Sequence, residues 1–207
     1  MLDIDSVLSA MAQRRPVFCS EADFQHELAM ELRTQDPSLR IRLEYPLGGD
    51  LRGAVDILLG GEPPVALELK YLCKALSVDI AGERFTLRQQ SAHDIRRHDV
   101  CKDVARMEGF ARRNGHSAAV LVLTNDPAYW QSRRKSDTVD AAFDLAEARE
   151  LAGTLQWGAL AGAGTTRGRA VPLELTGRYP LGWRDYSDLG VAGGRFRYLW
   201  IPIPSHS

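Results

Sequence analysis

The sequence has few cysteines, no long apolar run and almost no net charge. Its three cysteines, Cys19, Cys73 and Cys101, are far apart and form no CxxC pair, which disfavours a disulfide framework and a zinc knuckle. No apolar stretch approaches the roughly 20 residues needed to cross a bilayer. The first 14 residues have the pattern of an acidic amphipathic helix rather than a signal peptide. We therefore expect a cytoplasmic protein with no membrane partner.

The remaining composition is that of a folded globular domain. Hydrophobic residues make up 44% and charged residues 26% of the 207 residues, which excludes wholesale disorder, a collagen-like repeat and a coiled coil. A chain of this length suits a single domain over residues 1–207. We expect its core at about residues 20–125 and a C-terminal elaboration at about 138–203.

The net charge of -1 conceals an uneven distribution along the chain. Residues 1–83 carry 8 Lys and Arg against 14 Asp and Glu, whereas residues 84–113 carry 8 against 4 and residues 167–207 carry 6 against 3. Two basic segments fit contact with a polyanion, although solvated surface charge is the commoner explanation.

The hydrophobic periodicity predicts an α/β order of elements. Runs with a period of 3.6 residues indicate helices and alternating runs indicate strands. A central mixed sheet flanked by helices, with extra C-terminal strands, accommodates this order. In chain order, we predict helices over 4–14 and 20–33, strands over 39–45, 53–59 and 65–72, a small hairpin over 77–87, a helix over 89–114, a strand over 118–123, a helix over 138–151 and strands over 171–175 and 195–203.

Two neighbouring apolar strands carry charged side chains at unusual places. Alternation puts Asp56 on one face of the first strand, and it puts Glu68 and Lys70 together on one face of the next. Turn-forming residues over 60–64 predict a hairpin. If the turn is centred on Glu62, Asp56 lies opposite Glu68 with the two Cβ atoms roughly 5 Å apart.

Two carboxylates at that separation on buried strands need a compensating charge. Like charges facing each other are destabilising, and a buried carboxylate is costly unless it is paired or binds a metal. Mg²⁺ and Mn²⁺ prefer oxygen ligands, and the absence of a His/Cys cluster argues against zinc. The residues alone leave two interpretations open: a metal site at Asp56 and Glu68 with Lys70 beside it, or a structural arrangement in which the three charges neutralise one another.

The pattern of Asp56, eleven intervening residues and then Glu68-Leu69-Lys70 resembles the motif of the PD-(D/E)xK nuclease superfamily, also called restriction-endonuclease-like. The order of helix, motif-bearing strands, helix and further strand over residues 20–125 is similar to that family's core. Val55 stands where the family name has proline, a position that varies among its members. The resemblance implies a restriction-endonuclease-like core and metal-dependent hydrolysis of phosphodiester bonds in nucleic acid, with DNA expected first.

The resemblance also implies roles for individual residues. Asp56 and Glu68 would bind Mg²⁺ or Mn²⁺, the Leu69 carbonyl would assist, and Lys70 would activate or orient the attacking water. Because family members often add a carboxylate from the first core helix, Glu27 is the natural candidate for a further metal ligand. Helical geometry leaves Glu31 as an alternative to it, and a solvated charge explains either residue equally well. We expect the site to face a cleft beside the helix at 20–33.

A nuclease is not the only function that fits these residues. The alternative is a catalytically inactive nuclease-like fold that acts as a nucleic-acid-binding or protein-interaction module, and the presence of all three motif residues favours the enzyme. The helix over 89–114 offers polar side chains such as Gln90 and Arg106 near the metal, although intrahelical pairing explains Arg106 as well. The sequence leaves the oligomeric state open, a homodimer included.

Overall fold

A computed structural model of the chain describes residues 2–48, 53–133, 135 and 137–205. The described part contains four helices: α1 (Ile4–Arg14), α2 (Glu21–Gln35), α3 (His93–Asn114) and the single turn α4 (Ala163–Thr166). None of them is long and apolar enough to span a bilayer. The strands are β1 (Ile41–Pro46), β2 (Ala54–Leu59), β3 (Val65–Leu72), β4 (Leu76–Ile80), β5 (Glu83–Leu87), β6 (Ser117–Thr124), β7 (Glu150–Leu155), β8 (Leu173–Pro180), β9 (Trp183–Asp188) and β10 (Arg195–Ile203).

Six of these strands form one mixed sheet, as the alternating patterns predict. Its order is β1-β2-β3-β6-β10-β9. The neighbours β3 and β6 are parallel, whereas the other four pairs are antiparallel. The parallel pair is possible because α3 provides the crossover between β3 and β6. The predicted α/β class with a mixed sheet and additional C-terminal strands is therefore confirmed.

Local sequence signals set the helix ends near the centre of the fold. The Ser20 hydroxyl accepts a hydrogen bond from the Asp23 amide (3.1 Å) and caps α2. Gly115 adopts a left-handed conformation (φ 63°) and ends α3. Helix α3 begins at His93 rather than at residue 89, because the preceding residue, Ala92, is also left-handed (φ 61°).

The two faces of the sheet bury different apolar clusters. Strand residues alternate between the faces, so that Glu68 and Lys70 share the face covered by α3. We expected a cleft beside α2. Helix α3 covers this face, because α2 packs on the odd-numbered residues of β3, but Lys70 does line a cavity together with Glu21 at the start of α2. The α3 face contains Ala66, Val100, Val104, Val120 and Val122, and the α2 face contains Phe24, Leu28, Ile57, Leu67, Leu69 and Leu121.

The C-terminal elaboration contains a hairpin of β7 and β8 that is anchored to α3. The Glu108 carboxylate on α3 accepts hydrogen bonds from the Gly177 amide (2.7 Å) and the Tyr179 hydroxyl (2.6 Å). The helix predicted over 138–151 is wrong: this stretch forms a 3-10 turn at Ala141–Phe143 and then enters β7. The Asp144 carboxylate accepts a hydrogen bond from the Ala146 amide (3.3 Å), and side-chain bonds of this kind compete with helix formation.

Candidate functional site

The three motif residues come together where β2 and β3 separate. The register Ile57↔Leu67 and Leu59↔Val65 is the predicted hairpin centred on Glu62. Pairing stops at Ile57↔Leu67, and beyond it the Asp56 Oδ2 accepts a hydrogen bond from the Leu69 amide (2.5 Å). A carboxylate thus replaces the backbone carbonyl of a regular ladder, which fixes Asp56 beside Glu68 and Lys70.

The ammonium of Lys70 is held by three acceptors. Its Nζ lies 3.3 Å from Glu68 Oε1, donates to the Leu69 carbonyl (3.0 Å) and lies 3.0 Å from Asp103 Oδ2. Because Asp103 lies on α3, acceptors from both β3 and α3 hold the Lys70 ammonium. This arrangement fixes the position of the Lys70 charge despite the flexibility of its side chain.

Helix α3 also supplies an arginine to this group. Arg106 Nη2 forms an ion pair with Glu68 Oε1 and lies 3.1 Å from Asp103 Oδ1. Its Nη1 donates to the Ala54 carbonyl (2.9 Å). We call the five residues Asp56, Glu68, Lys70, Asp103 and Arg106 the charge cluster; it contains three carboxylates and two cations.

Glu68 is the residue on which the cluster converges. It is 4% exposed, and its Oε1 contacts both Lys70 and Arg106. Its Oε2 is buried without a hydrogen-bond partner in the described part of the chain. A buried oxygen without a partner costs about 1–3 kcal/mol, and a hard cation would relieve that cost. The donor set therefore fits Mg²⁺ or Mn²⁺.

The carboxylates are not preassembled as a complete cation cage. Among the described residues, no group of three or more His, Cys, Asp or Glu side chains is arranged as a metal site. The reason is visible in the contacts: Asp103 is turned toward Lys70 and Arg106, and Asp56 Oδ2 is bonded to the Leu69 amide. Any metal at this position must compete with these internal partners.

Burial shifts the protonation equilibria of the cluster. It raises the pKa of Asp56 to about 6, against the opposing effects of the Leu69 amide and Lys70. Burial, together with the charges of Asp103 and Asp56, raises the pKa of Glu68 to about 7. Burial alone would lower the pKa of Lys70, but Asp103, Glu68 and Glu21 raise it above the ordinary value. Perturbed carboxylates beside a fixed cation are typical of functional sites.

A cavity of about 650 Å³ opens beside Lys70. Arg88 and Arg96 also line it, and neither makes an ion pair with any described residue. Both arginines are exposed. The cavity is also lined by Glu21, and the charge of Lys70 is shared with Glu68 and Asp103. The two arginines are therefore the cations of this surface that can attract an anion.

The wall of this cavity is tied to the backbone of β3. The Glu21 carboxylate accepts a hydrogen bond from the Tyr71 amide (2.8 Å), and Gln90 Nε2 donates to the Tyr71 carbonyl (3.2 Å). One residue of the strand is therefore held by side chains from both flanking segments. Close by, Gln25 of α2 donates to the Asp56 carbonyl (2.7 Å).

Glu27 and Glu31, the two candidate metal ligands on α2, contact arginines rather than the charge cluster. Glu27 Oε2 lies 3.9 Å from an Arg15 guanidinium nitrogen, and Glu31 pairs with Arg14 at 2.5 Å. Neither is among the contacts of Asp56, Glu68 or Lys70. Helix α2 contributes instead through its first two turns, where Glu21 and Gln25 lie.

Two further sets of ion pairs bear on the sequence interpretation. The i,i+3 spacing of Asp103 and Arg106 is compatible with an ordinary intrahelical pair; the pair does form, and it also reaches Lys70 and Glu68. In the basic segment over 167–207, Arg195 lies 2.9 Å from Asp185 and Arg197 lies 3.1 Å from Glu147, so that these two arginines already have carboxylate partners.

Comparison of the chain with protein-family models, with curated proteins and with solved structures gives no match to any of them. The charge cluster and the cavity beside it are therefore the features of this molecule that indicate a function.

Proposed function

We propose that this protein is a metal-dependent nuclease that hydrolyses phosphodiester bonds of nucleic acid, with DNA as the expected substrate. We also propose that its core is restriction-endonuclease-like. The observation that carries the proposal is the buried Glu68 carboxylate, with one oxygen unpartnered among the described residues, next to Asp56 and a fixed Lys70 ammonium. The order α2, β1 to β3, α3 and β6 supports the proposed core.

Each residue has a distinct task in this proposal. Asp56 and Glu68 would hold Mg²⁺ or Mn²⁺, and the Leu69 carbonyl follows Glu68 directly in the chain as an additional oxygen donor. The bound cation would lower the pKa of a water molecule and stabilise negative charge on the phosphate. Lys70 would orient that water from the cavity side, with its ammonium held in place by Asp103.

Arg88 and Arg96 extend the cationic surface beyond Lys70. Because they line the cavity and lack carboxylate partners among the described residues, their guanidinium groups are available for phosphate oxygens. Backbone phosphates are present in every nucleic acid, so these contacts bind without selecting a sequence. The cavity thus supports a substrate defined by its phosphodiester backbone.

The test is cleavage of plasmid, linear and single-stranded DNA, and of RNA, in Mg²⁺, in Mn²⁺ and in EDTA. We expect metal-dependent cleavage that Glu68→Gln lowers by about 1,000-fold or more, since the variant weakens the proposed metal site. Glu62→Gln is the matched control because Glu62 is exposed in the turn of the same hairpin. Absence of cleavage under every condition, or equal rates in the two variants, contradicts the enzyme.

A second candidate function has its own supporting observation. Lys70 and Arg106 already neutralise Glu68 without a metal, as expected for a nuclease-like module that binds nucleic acid but does not cleave it. This alternative predicts that binding is unaffected by EDTA and by Glu68→Gln and that no substrate is cut.

A further inference from the structure

We infer that Arg106 is an internal competitor of the divalent cation, so that metal binding at Glu68 requires the Arg106 guanidinium to leave that carboxylate. The inference rests on the metal site of the proposed function. The proposed step is an exchange of cations on the Glu68 carboxylate, in which the divalent metal replaces the Arg106 guanidinium. The roles of Asp56, Glu68 and Lys70 alone do not include this exchange.

The contacts of Arg106 are those of a counter-ion. Its Nη2 is shared between Glu68 Oε1 and Asp103 Oδ1, and its Nη1 is held by the Ala54 carbonyl. Lys70 contacts the same Glu68 oxygen. Among the described residues, Oε1 of Glu68 therefore contacts two cations and Oε2 contacts none, so that the two carboxylate oxygens are neutralised unequally.

The charge balance of the cluster opposes a third positive ion. With every group ionised, three carboxylates face two cations, so the cluster has one excess negative charge. A divalent cation would reverse that sign within a largely buried space, where charge repulsion is screened less than in water. Moving one of the two side-chain cations away from Glu68 lowers the repulsion that the incoming ion meets at this carboxylate.

Arg106 is the cation better placed to leave. Lys70 lies on a central strand, lines the cavity and has Leu69, Glu68 and Asp103 as acceptors. Because Asp103 already holds Arg106 at 3.1 Å, its guanidinium can give up Glu68 while retaining a carboxylate partner. Asp103 thus acts as a positioning residue for both states.

The experiment measures Mn²⁺ affinity by calorimetry or electron paramagnetic resonance at pH 8.5, without substrate. We expect Arg106→Gln to bind Mn²⁺ about tenfold more tightly than the wild type, a typical size for two coupled binding events. Arg106→Lys keeps the competing charge and should stay within about twofold of the wild type. Arg112→Gln is the matched control, since Arg112 is exposed on the same helix. Introducing Glu68→Gln into each variant should abolish the binding.

A second readout observes Arg106 directly. In protein labelled with ¹⁵N-arginine, the Arg106 Nε signal, identified by its disappearance in Arg106→Lys, should shift on addition of Mg²⁺ in the wild type. It should not shift in Glu68→Gln. Thermal melting of each variant without metal verifies that it is folded.

The outcomes separate this inference from the proposed function. Equal or weaker Mn²⁺ binding in Arg106→Gln, at a site that still depends on Glu68, overturns the competition and leaves the metal site intact. Absence of Glu68-dependent binding in the wild type and in every Arg106 variant overturns both. Tighter binding in Arg106→Gln together with the shift of the arginine signal supports the exchange.

Discussion

Two buried groups of charges in this molecule solve the same problem in opposite ways. In the Asp140 network, formed by Asp140, Arg97 and Arg133, each carboxylate oxygen has its own cation: Arg97 Nη1 lies 3.0 Å from Oδ2 and Arg133 Nη1 lies 2.6 Å from Oδ1. In the charge cluster, Glu68 has both cations on Oε1, and Oε2 has no partner among the described residues.

The pKa values of Asp140 and Glu68 are shifted in opposite directions. Burial would raise the pKa of Asp140, but hydrogen bonds from Arg133 and Thr138 and the nearby charges hold it below its ordinary value. The pKa of Glu68 is raised to about 7 because burial and two other carboxylates outweigh its cations. In the Asp140 network both carboxylate oxygens are paired, and only Arg97 Nε lacks a partner among the described residues. A carboxylate paired in this way stabilises the fold, whereas an incompletely neutralised one is suited to receive a ligand.

The strongest way to break this comparison is to remove Asp140. We expect Asp140→Ala to lower the free energy of unfolding by about 3–5 kcal/mol, since it leaves the buried Arg97 guanidinium without its carboxylate, whereas Arg133 keeps Asp144 at 3.3 Å. Urea denaturation measures the change. Asp79→Ala, which removes an exposed pair with Arg84, should cost at most about 0.5 kcal/mol. A similar small cost for Asp140→Ala would refute the structural role of the network.

Removing Lys70 tests the functional side of the comparison. Lys70→Ala deletes the cation proposed to orient the nucleophile but leaves Asp56 and Glu68 for the metal. We expect turnover to fall about 100- to 1,000-fold while nucleic-acid affinity changes by about twofold or less. Single-turnover kinetics and filter binding separate the two effects. Lys102→Ala, at an exposed position of α3, is the control; the mechanism is wrong if Lys70→Ala cleaves as fast as this variant.

The hairpin that carries the charge cluster was predictable because its determinants are local. Turn-forming residues over 60–64 fix the register, and alternation then places Asp56 and Glu68 at adjoining positions. The face of the sheet was not predictable in the same way. Alternation groups Glu68 with Lys70, but only the docking of α2 and α3 decides which helix covers that group.

Other parts of the site depend on contacts between distant segments. Asp103 has a local partner in Arg106, so the sequence contains no unsatisfied charge that would point to Lys70. The stretch over 138–151 has a helical composition, but Asp140 pairs with Arg97, which is far away in the chain. In both cases tertiary partners override a local preference.

The pH dependence of stability sharpens the comparison, because the two carboxylates contribute with opposite signs. The folded protein binds the Glu68 proton more tightly than the unfolded chain does. Wild type without metal should therefore lose stability relative to Glu68→Gln as the pH rises from 4.5 to about 7, by on the order of 1–3 kcal/mol. For Asp140, whose pKa is lowered, the stability of wild type relative to Asp140→Asn should instead fall as the pH drops through and below 3.8.

Urea denaturation across this pH range, in EDTA, measures both differences. A saturating concentration of Mn²⁺ should remove the loss of stability at pH 7, because the metal binds only the ionised carboxylates. Two pH profiles of the same sign would show that the charge cluster and the Asp140 network do not differ in the way the structure indicates.

The smallest expected effect concerns Arg88 and Arg96, which belong neither to the charge cluster nor to the Asp140 network. If Arg88 and Arg96 bind phosphates across the cavity, the double variant Arg88→Gln/Arg96→Gln should weaken DNA binding a few-fold at low salt. Its slope of log affinity against log salt should be shallower by about 1 for each phosphate that these side chains no longer neutralise. Arg112→Gln/Arg113→Gln is the matched control, since it removes the same charge from the exposed C-terminal end of α3. Fluorescence anisotropy at several salt concentrations measures the slopes, and identical slopes for the two double variants would place the nucleic acid away from the cavity.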